Sequence, residues 1–167
     1  MDDLELLLQG WVDSGLLPGA ALRIVRDRRI WYACDVGTTS IAKDKPVTPN
    51  TMFDLASLTK VTATLPAILL LVQEGVVALD DQIGQFFPDC PADKKRITLE
   101  QLLVHTSGMP ADLAERRRDS EIHLPELLYA QQLLHEPGAQ VVYSDLGMIW
   151  LGLVIEQVTG ERLDQFV

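Results

Sequence analysis

Cysteine is scarce in this chain: two residues in 167, Cys34 and Cys90, placed in unrelated segments. That excludes a disulfide-stapled scaffold and any short cysteine metal spacing, and free, partly buried thiols are expected. The three histidines form no H-E-x-x-H pattern, and there is no glycine-rich phosphate loop, so zinc-hydrolase and nucleotide-binding readings have no motif and no cofactor or metal is expected. Positive charge is also short, with 14 basic against 24 acidic residues and a net charge of -10. Such a field repels phosphate backbones and anionic membranes, so nucleic acid is not an expected partner. The one dense basic run, Arg116 to Arg118, is flanked by Glu115, Asp119 and Glu121 and reads as a solvated mixed-charge face. No apolar run reaches bilayer length, because Leu65 to Val72 stops at Gln73-Glu74-Gly75, so no membrane span is expected. Met1 is followed by Asp2 and Asp3 rather than a basic patch, which favours a cytoplasmic location, or a periplasmic or secreted one if a leader has been removed.

Hydrophobic residues make up 47% of the chain, enough for a packed core. Leu4, Leu7, Leu8, Trp11 and Val12 recur at helical spacing and predict an opening helix that ends near Gly15 and Pro18. Alternation over 20–25 and an apolar run over 30–34, interrupted by Asp27-Arg28, predict a β-hairpin whose turn lacks glycine. A polar stretch over 42–50 with Pro46 and Pro49 is a connection. Leu58, Val61, Leu65, Ile68, Leu69 and Val72 predict a helix that Pro66 must kink, since proline removes a backbone donor and clashes one turn back. Thr98 and Gln101 form a capping box before a short helix through Val104. Pro125 opens a helix expected to run through Leu134, Glu136-Pro137-Gly138 turns the chain, and a helix from Asp145 to about Thr159-Gly160 follows. Only one hairpin is legible, and a two-stranded ribbon is marginal alone. The sheet is therefore expected to draw further strands from residues after Val167 or from another chain.

Ser57 and Lys60 stand three apart at the start of the kinked helix, which puts hydroxyl and amine on one face, a turn apart. A serine hydroxyl becomes nucleophilic only when a base takes its proton, and a lysine serves only if partly neutral, as desolvation against Val61 and Leu65 would favour. The competing reading is a helix-capping serine beside a surface lysine. Tyr143-Ser144-Asp145 follows the proline-glycine turn and precedes a helix. Its tyrosine can relay a proton, while the plainer roles are core closure for Tyr143 and an N-cap for Asp145. His105, Ser107 and Gly108 read as a structural turn rather than as part of a triad. His123 and His135 read as surface or helix-end residues.

The order of four segments, Phe53 to Lys60, Gln101 to Gly108, Glu136-Pro137-Gly138 and Tyr143-Ser144-Asp145, resembles the serine β-lactamase and D-alanyl-D-alanine carboxypeptidase family, the penicillin-binding group. The resemblance is nearest to its class C β-lactamase, family VIII esterase and D-aminopeptidase branch and covers essentially the whole chain. It implies an α+β fold of β-lactamase/transpeptidase type, with residues 1–52 giving a helix and hairpin of the α/β domain and 53–167 the nucleophile helix, the helical domain and the Tyr-x-Asp loop. It implies Ser57 as nucleophile, Lys60 as catalytic lysine, Tyr143 as the motif tyrosine, and a supporting turn at His105 to Gly108. The implied activity is acyl-enzyme hydrolysis of an ester, amide or β-lactam carbonyl in a small-molecule or peptide substrate.

Two departures bear on that expectation. Asp145 stands where the β-lactamase motif has Asn; ionised near Lys60 it would hold the ammonium, and protonated or turned away it would not. The family's Lys-Thr-Gly or His-x-Gly strand, which supplies an oxyanion donor, is not in the sequence. The 167 residues alone are therefore expected to be inactive or to need a complementary C-terminal segment or chain, because one such donor is typically worth about 2.7 to 4 kcal/mol in the transition state. The alternative is a non-catalytic member that keeps the fold as a binding or structural protein.

Overall fold

Apolar residues at a spacing of three and four make the first element a helix, α1 (Asp3–Asp13), and it leads into an antiparallel hairpin of β1 (Gly19–Arg26) and β2 (Arg29–Gly37). The hairpin closes through Asp27 and Arg28, both left-handed at φ 51° and 61°. A two-residue turn needs positive φ at both positions to match strand twist, and here it is made without the glycine that usually supplies it. Pairing shifts between Ile24 opposite Tyr32 and Val25 opposite Ile30, which leaves Trp31 as the extra residue of a bulge. Leu4, Leu7, Trp11, Ile30 and Trp31 remain exposed, as expected where one helix and two strands have too little surface to bury one another. Cys34 is a half-buried free thiol in β2.

The computed structural model describes residues 3–42, 45–113 and 123–167, so the arginine run at 116–118 and its acidic neighbours lie outside the described residues. It divides into two compact units, Met1–Asp54 and Leu55–Val167. In the second unit a 3₁₀ turn (Ala56–Leu58) and a π-helical turn (Lys60–Thr64) run into α2 (Leu65–Gln73). The kink expected at Pro66 takes the form of that π turn: Leu65 N–H reaches back five residues to Lys60 O, and Pro66, with no N–H to give, falls in the first turn of α2. The whole helical run, Ala56–Gln73, is 18 residues, longer than the apolar stretch at 65–72, and by length and composition alone it is apolar enough to cross a membrane. Its Thr64, Ala67, Ile68 and Leu71 are buried in the unit's own core, while Leu58, Val61, Leu69 and Leu70 are exposed.

Short helices α3 (Ile83–Phe86) and α4 (Leu99–Leu103) each begin with a reciprocal capping box, Gln82/Gln85 and Thr98/Gln101. Helix α5 (Leu124–Ala130) stops four residues before the expected end at Leu134, because Gln131 turns extended and Leu134 N–H donates to Gly108 O at 2.8 Å. A tertiary hydrogen bond wins there over helix propensity. Helix α6 (Asp145–Thr159) ends at the left-handed Gly160, φ 73°, and a last short helix, α7 (Leu163–Phe166), follows. Helix α6 is the axis of the unit: Leu146, Trp150, Leu151, Val154 and Ile155 are buried against Ile68, Ile97, Leu102 and Leu128. Trp150 lies between Phe87, edge-on at 5.2 Å, and Tyr129, stacked at 5.7 Å. Each such aliphatic side chain contributes about 1.5 to 3 kcal/mol by leaving water, so the short helices are stabilised mainly by this packing.

Candidate active site

The chain enters the kinked helix through Ala56, which is left-handed at φ 46°. For a residue with a Cβ that conformation costs roughly 1 to 2 kcal/mol, and a strained residue immediately before Ser57 marks a place where backbone direction matters. Ser57 is exposed in the 3₁₀ turn, and Lys60, one turn on, folds back so that Nζ donates to Ser57 Oγ at 3.2 Å. The same Nζ pairs with Asp145 Oδ1 at 2.7 Å. The Lys60 side chain is 13% exposed, and the Tyr143 ring lies against its ammonium, 4.9 Å from Nζ to ring centroid.

Tyr143 is carried by a loop fastened to the turn at residues 105–111. Ser144 N–H donates to His105 Nδ1 at 3.1 Å, Val142 N–H to His105 O at 2.8 Å, Asp145 N–H to Ala111 O at 2.8 Å, and Gly138 N–H to Thr106 O at 2.7 Å. Ser144, not Asp145, caps α6: its Oγ accepts from Gly147 N–H at 3.2 Å and donates to Pro110 O at 2.6 Å. Relieved of capping, the Asp145 carboxylate turns to Lys60. His105, Ser107 and Gly108 do form a turn, with Met109 N–H donating to Ser107 Oγ at 3.4 Å. Gly108 has φ 80°, and a Cβ there would collide with the His135 carbonyl, so only glycine fits. His123 and His135 stay apart from the group; His123 Nδ1 makes a long, exposed contact of 3.9 Å to Glu126 Oε1.

Electrostatics decide the protonation states. Burial pulls the Lys60 ammonium down, but hydrogen bonds to Asp145 and Tyr143 and the charge of Asp145 outweigh it, and its pKa is raised. The expectation that apolar neighbours would leave Lys60 partly neutral is therefore corrected: Val61 is 56% exposed and Asp145 is in contact. Tyr143 moves the other way. Hydrogen bonds to Lys60 and then Ser57 hold its phenol below the ordinary value near 10. His105 is pushed below its usual range by burial first and by the Lys60 charge second, consistent with an unprotonated Nδ1 that accepts from Ser144.

An apolar pocket of about 370 Å³ adjoins Lys60 and Asp145, lined by Met148, Ile149, Leu153 and Leu163 among others. A larger groove of about 800 Å³ between Pro91–Lys94 and Tyr129–Glu136 brings no nucleophile to a base, so chemistry rather than volume identifies the site. What the sequence did not disclose is Ser144 as the cap and His105 as a partner of the tyrosine loop. Serine and aspartate are both good caps, so only the position of the first helical turn chooses between them.

The family model described as Beta-lactamase matches residues 4–167. A putative D-alanyl-D-alanine carboxypeptidase of Escherichia coli strain K12 is 31% identical over 189 residues, covering 100% of this chain and 43% of the relative. Among solved structures, EstCE1, a hydrolase with promiscuous acyltransferase activity, superposes with a TM-score of 0.83 at 30% identity, over 98% of this chain and 48% of its own. The octameric penicillin-binding protein homologue from Pyrococcus abyssi gives 0.83 at 26% identity, over 99% and 41%. The chain thus spans less than half the length of the curated relatives it matches. The α+β fold, with its antiparallel hairpin and helical unit, is of the β-lactamase/transpeptidase, serine-hydrolase type, and with the family match running from residue 4 to Val167, this chain belongs to the β-lactamase family.

Proposed function

We infer that the complete protein is a serine hydrolase working through an acyl-enzyme on an ester, amide or β-lactam carbonyl. The observation that supports the reading best is the convergence on Lys60 Nζ of Ser57 Oγ at 3.2 Å and Asp145 Oδ1 at 2.7 Å, with Tyr143 against the same ammonium. Lys60, held as an ammonium by Asp145, stabilises the Tyr143 phenolate, and the phenolate is the base. It takes the Ser57 hydroxyl proton as Oγ bonds to the carbonyl carbon; the resulting oxyanion collapses, the carbon to leaving-group bond breaks, and Tyr143 returns the proton to the departing atom. Water then repeats the sequence on the ester and frees the acid. Ser57 N–H at the helix start serves as one oxyanion donor.

Mass spectrometry of the full-length protein after treatment with a fluorophosphonate or a penicillin tests this. One adduct on the Ser57 peptide is expected, absent in Ser57→Ala; labelling that persists in that variant, or none in the wild type, refutes it, and the latter outcome favours a non-catalytic binding protein.

A further inference from the structure

We propose that His105 is a positioning residue that sets Tyr143 against Ser57 and Lys60, by holding three consecutive residues of the tyrosine loop through three different groups. Its carbonyl accepts from Val142 N–H at 2.8 Å, its Nδ1 accepts from Ser144 N–H at 3.1 Å, and its ring lies on the Tyr143 ring with centroids 4.6 Å apart at a 38° tilt. Residues 142, 143 and 144 are thus each fixed by the same side chain and peptide. The contacts before and after Tyr143 fix its backbone, and the ring contact fixes the rotation of the phenol about its side-chain bonds.

The backbone of His105 itself is turned to make this possible. It sits at φ 60°, left-handed, just past α4, which aims both its carbonyl and its imidazole at the loop instead of continuing the helix. A merely structural turn residue would need the carbonyl alone. Only a ring with an unprotonated nitrogen can accept from Ser144 and lie against Tyr143 at once, and among neutral side chains histidine alone offers both. The ring so placed lies 4.9 Å from Lys60 Nζ, and its neighbours Lys60 and Ser57 lower the phenol's pKa, so a loosened loop would surrender that shift. A base displaced by about 1 Å can lose on the order of 100-fold in rate, so small rotations of Tyr143 matter.

The inference rests on the reading of Tyr143 as the proton-transfer group, and the experiment separates the two. Full-length wild type, His105→Asn and His105→Phe are compared by two readouts. One is the ultraviolet titration of Tyr143, isolated by subtracting the same protein carrying Tyr143→Phe; the other is the rate of acylation by a chromogenic ester. Asparagine keeps an acceptor near the Nδ1 position and tolerates a left-handed backbone, while phenylalanine keeps the ring and leaves Ser144 N–H without its acceptor. Expected is a Tyr143 midpoint displaced toward 10 in His105→Phe with an acylation rate constant reduced on the order of 100-fold, little change in KM, and values between those of wild type and His105→Phe in His105→Asn, which restores the acceptor but not the ring. A folded His105→Phe protein with the wild-type Tyr143 midpoint would overturn the proposal. Should that variant not fold, His105→Asn decides: a wild-type Tyr143 midpoint and a wild-type rate with the ring gone refute it. If wild type is never acylated, the reading of Ser57 falls, and the titration still tests His105.

Discussion

Asp145 is one atom away from the residue the family motif would place there, and the exchange reverses what the side chain can do for Lys60. A carboxylate offers acceptors only, so it pairs with the ammonium at 2.7 Å and raises the lysine's pKa, while its charge opposes the Tyr143 phenolate. Replacing it, Asp145→Asn, leaves a carbonyl acceptor but removes the charge that helps hold Lys60 protonated and that raises Tyr143. Both groups then lose their protons at lower pH. The expected result is a bell-shaped pH profile of acylation whose two limbs, macroscopic values of the coupled pair, both move toward acid. An unmoved alkaline limb would show that Lys60 acts as a neutral base instead. Asp145 was read as a supporting residue from the Tyr-x-Asp pattern; that it is ionically paired depended on Ser144 capping the helix in its place.

Helix α6 begins where one hydroxyl satisfies two backbone groups. Ser144 is buried, accepts from Gly147 N–H and donates to Pro110 O. Ser144→Ala removes a cap worth about 1 kcal/mol and leaves the part-buried Pro110 carbonyl without its donor, so a loss of about 1 to 3 kcal/mol is expected in urea unfolding. The helices whose ends are set locally were legible: the capping box at Thr98 and the glycine stop at Gly160 are chemical signals a few residues long. The end of α5 was not, because its determinant is Gly108, more than twenty residues away. The π turn after Lys60 is intermediate; Pro66 announces an irregularity but not its form.

Across the whole molecule the site is joined to stability through His105. Its pKa in the fold lies below 6.5, so on acidification the unfolded chain takes up a proton that the native state refuses. With more protons bound in the unfolded state, stability rises with pH, and His105's share is lost as pH falls from about 6.5 toward the lower native value. Urea midpoints measured from about pH 7 to pH 5 should therefore fall more steeply for wild type than for His105→Asn, which has nothing to titrate; equal slopes would disprove the link. The core itself lies in the unit from Leu55 to Val167, where α6 meets α2, α4 and α5 residues, while the hairpin unit leaves Trp11, Ile30 and Trp31 exposed.

Linear order was enough for the opening helix, the kinked helix, the capped helix after Thr98, the helix from Asp145 and the pairing of Ser57 with Lys60, since each depends on periodicity, capping chemistry or a three-residue spacing, but it did not disclose α3. It was also enough to bring Tyr143 and Asp145 under suspicion. The protonation states were beyond it. They depend on Asp145 reaching Lys60 across 85 residues of sequence, on His105 meeting the loop at 142–144, and on which oxygen caps α6. Electrostatic fields fall with distance in space, not along the chain, so the charge carried by Lys60 and Tyr143 follows from packing that no local pattern encodes.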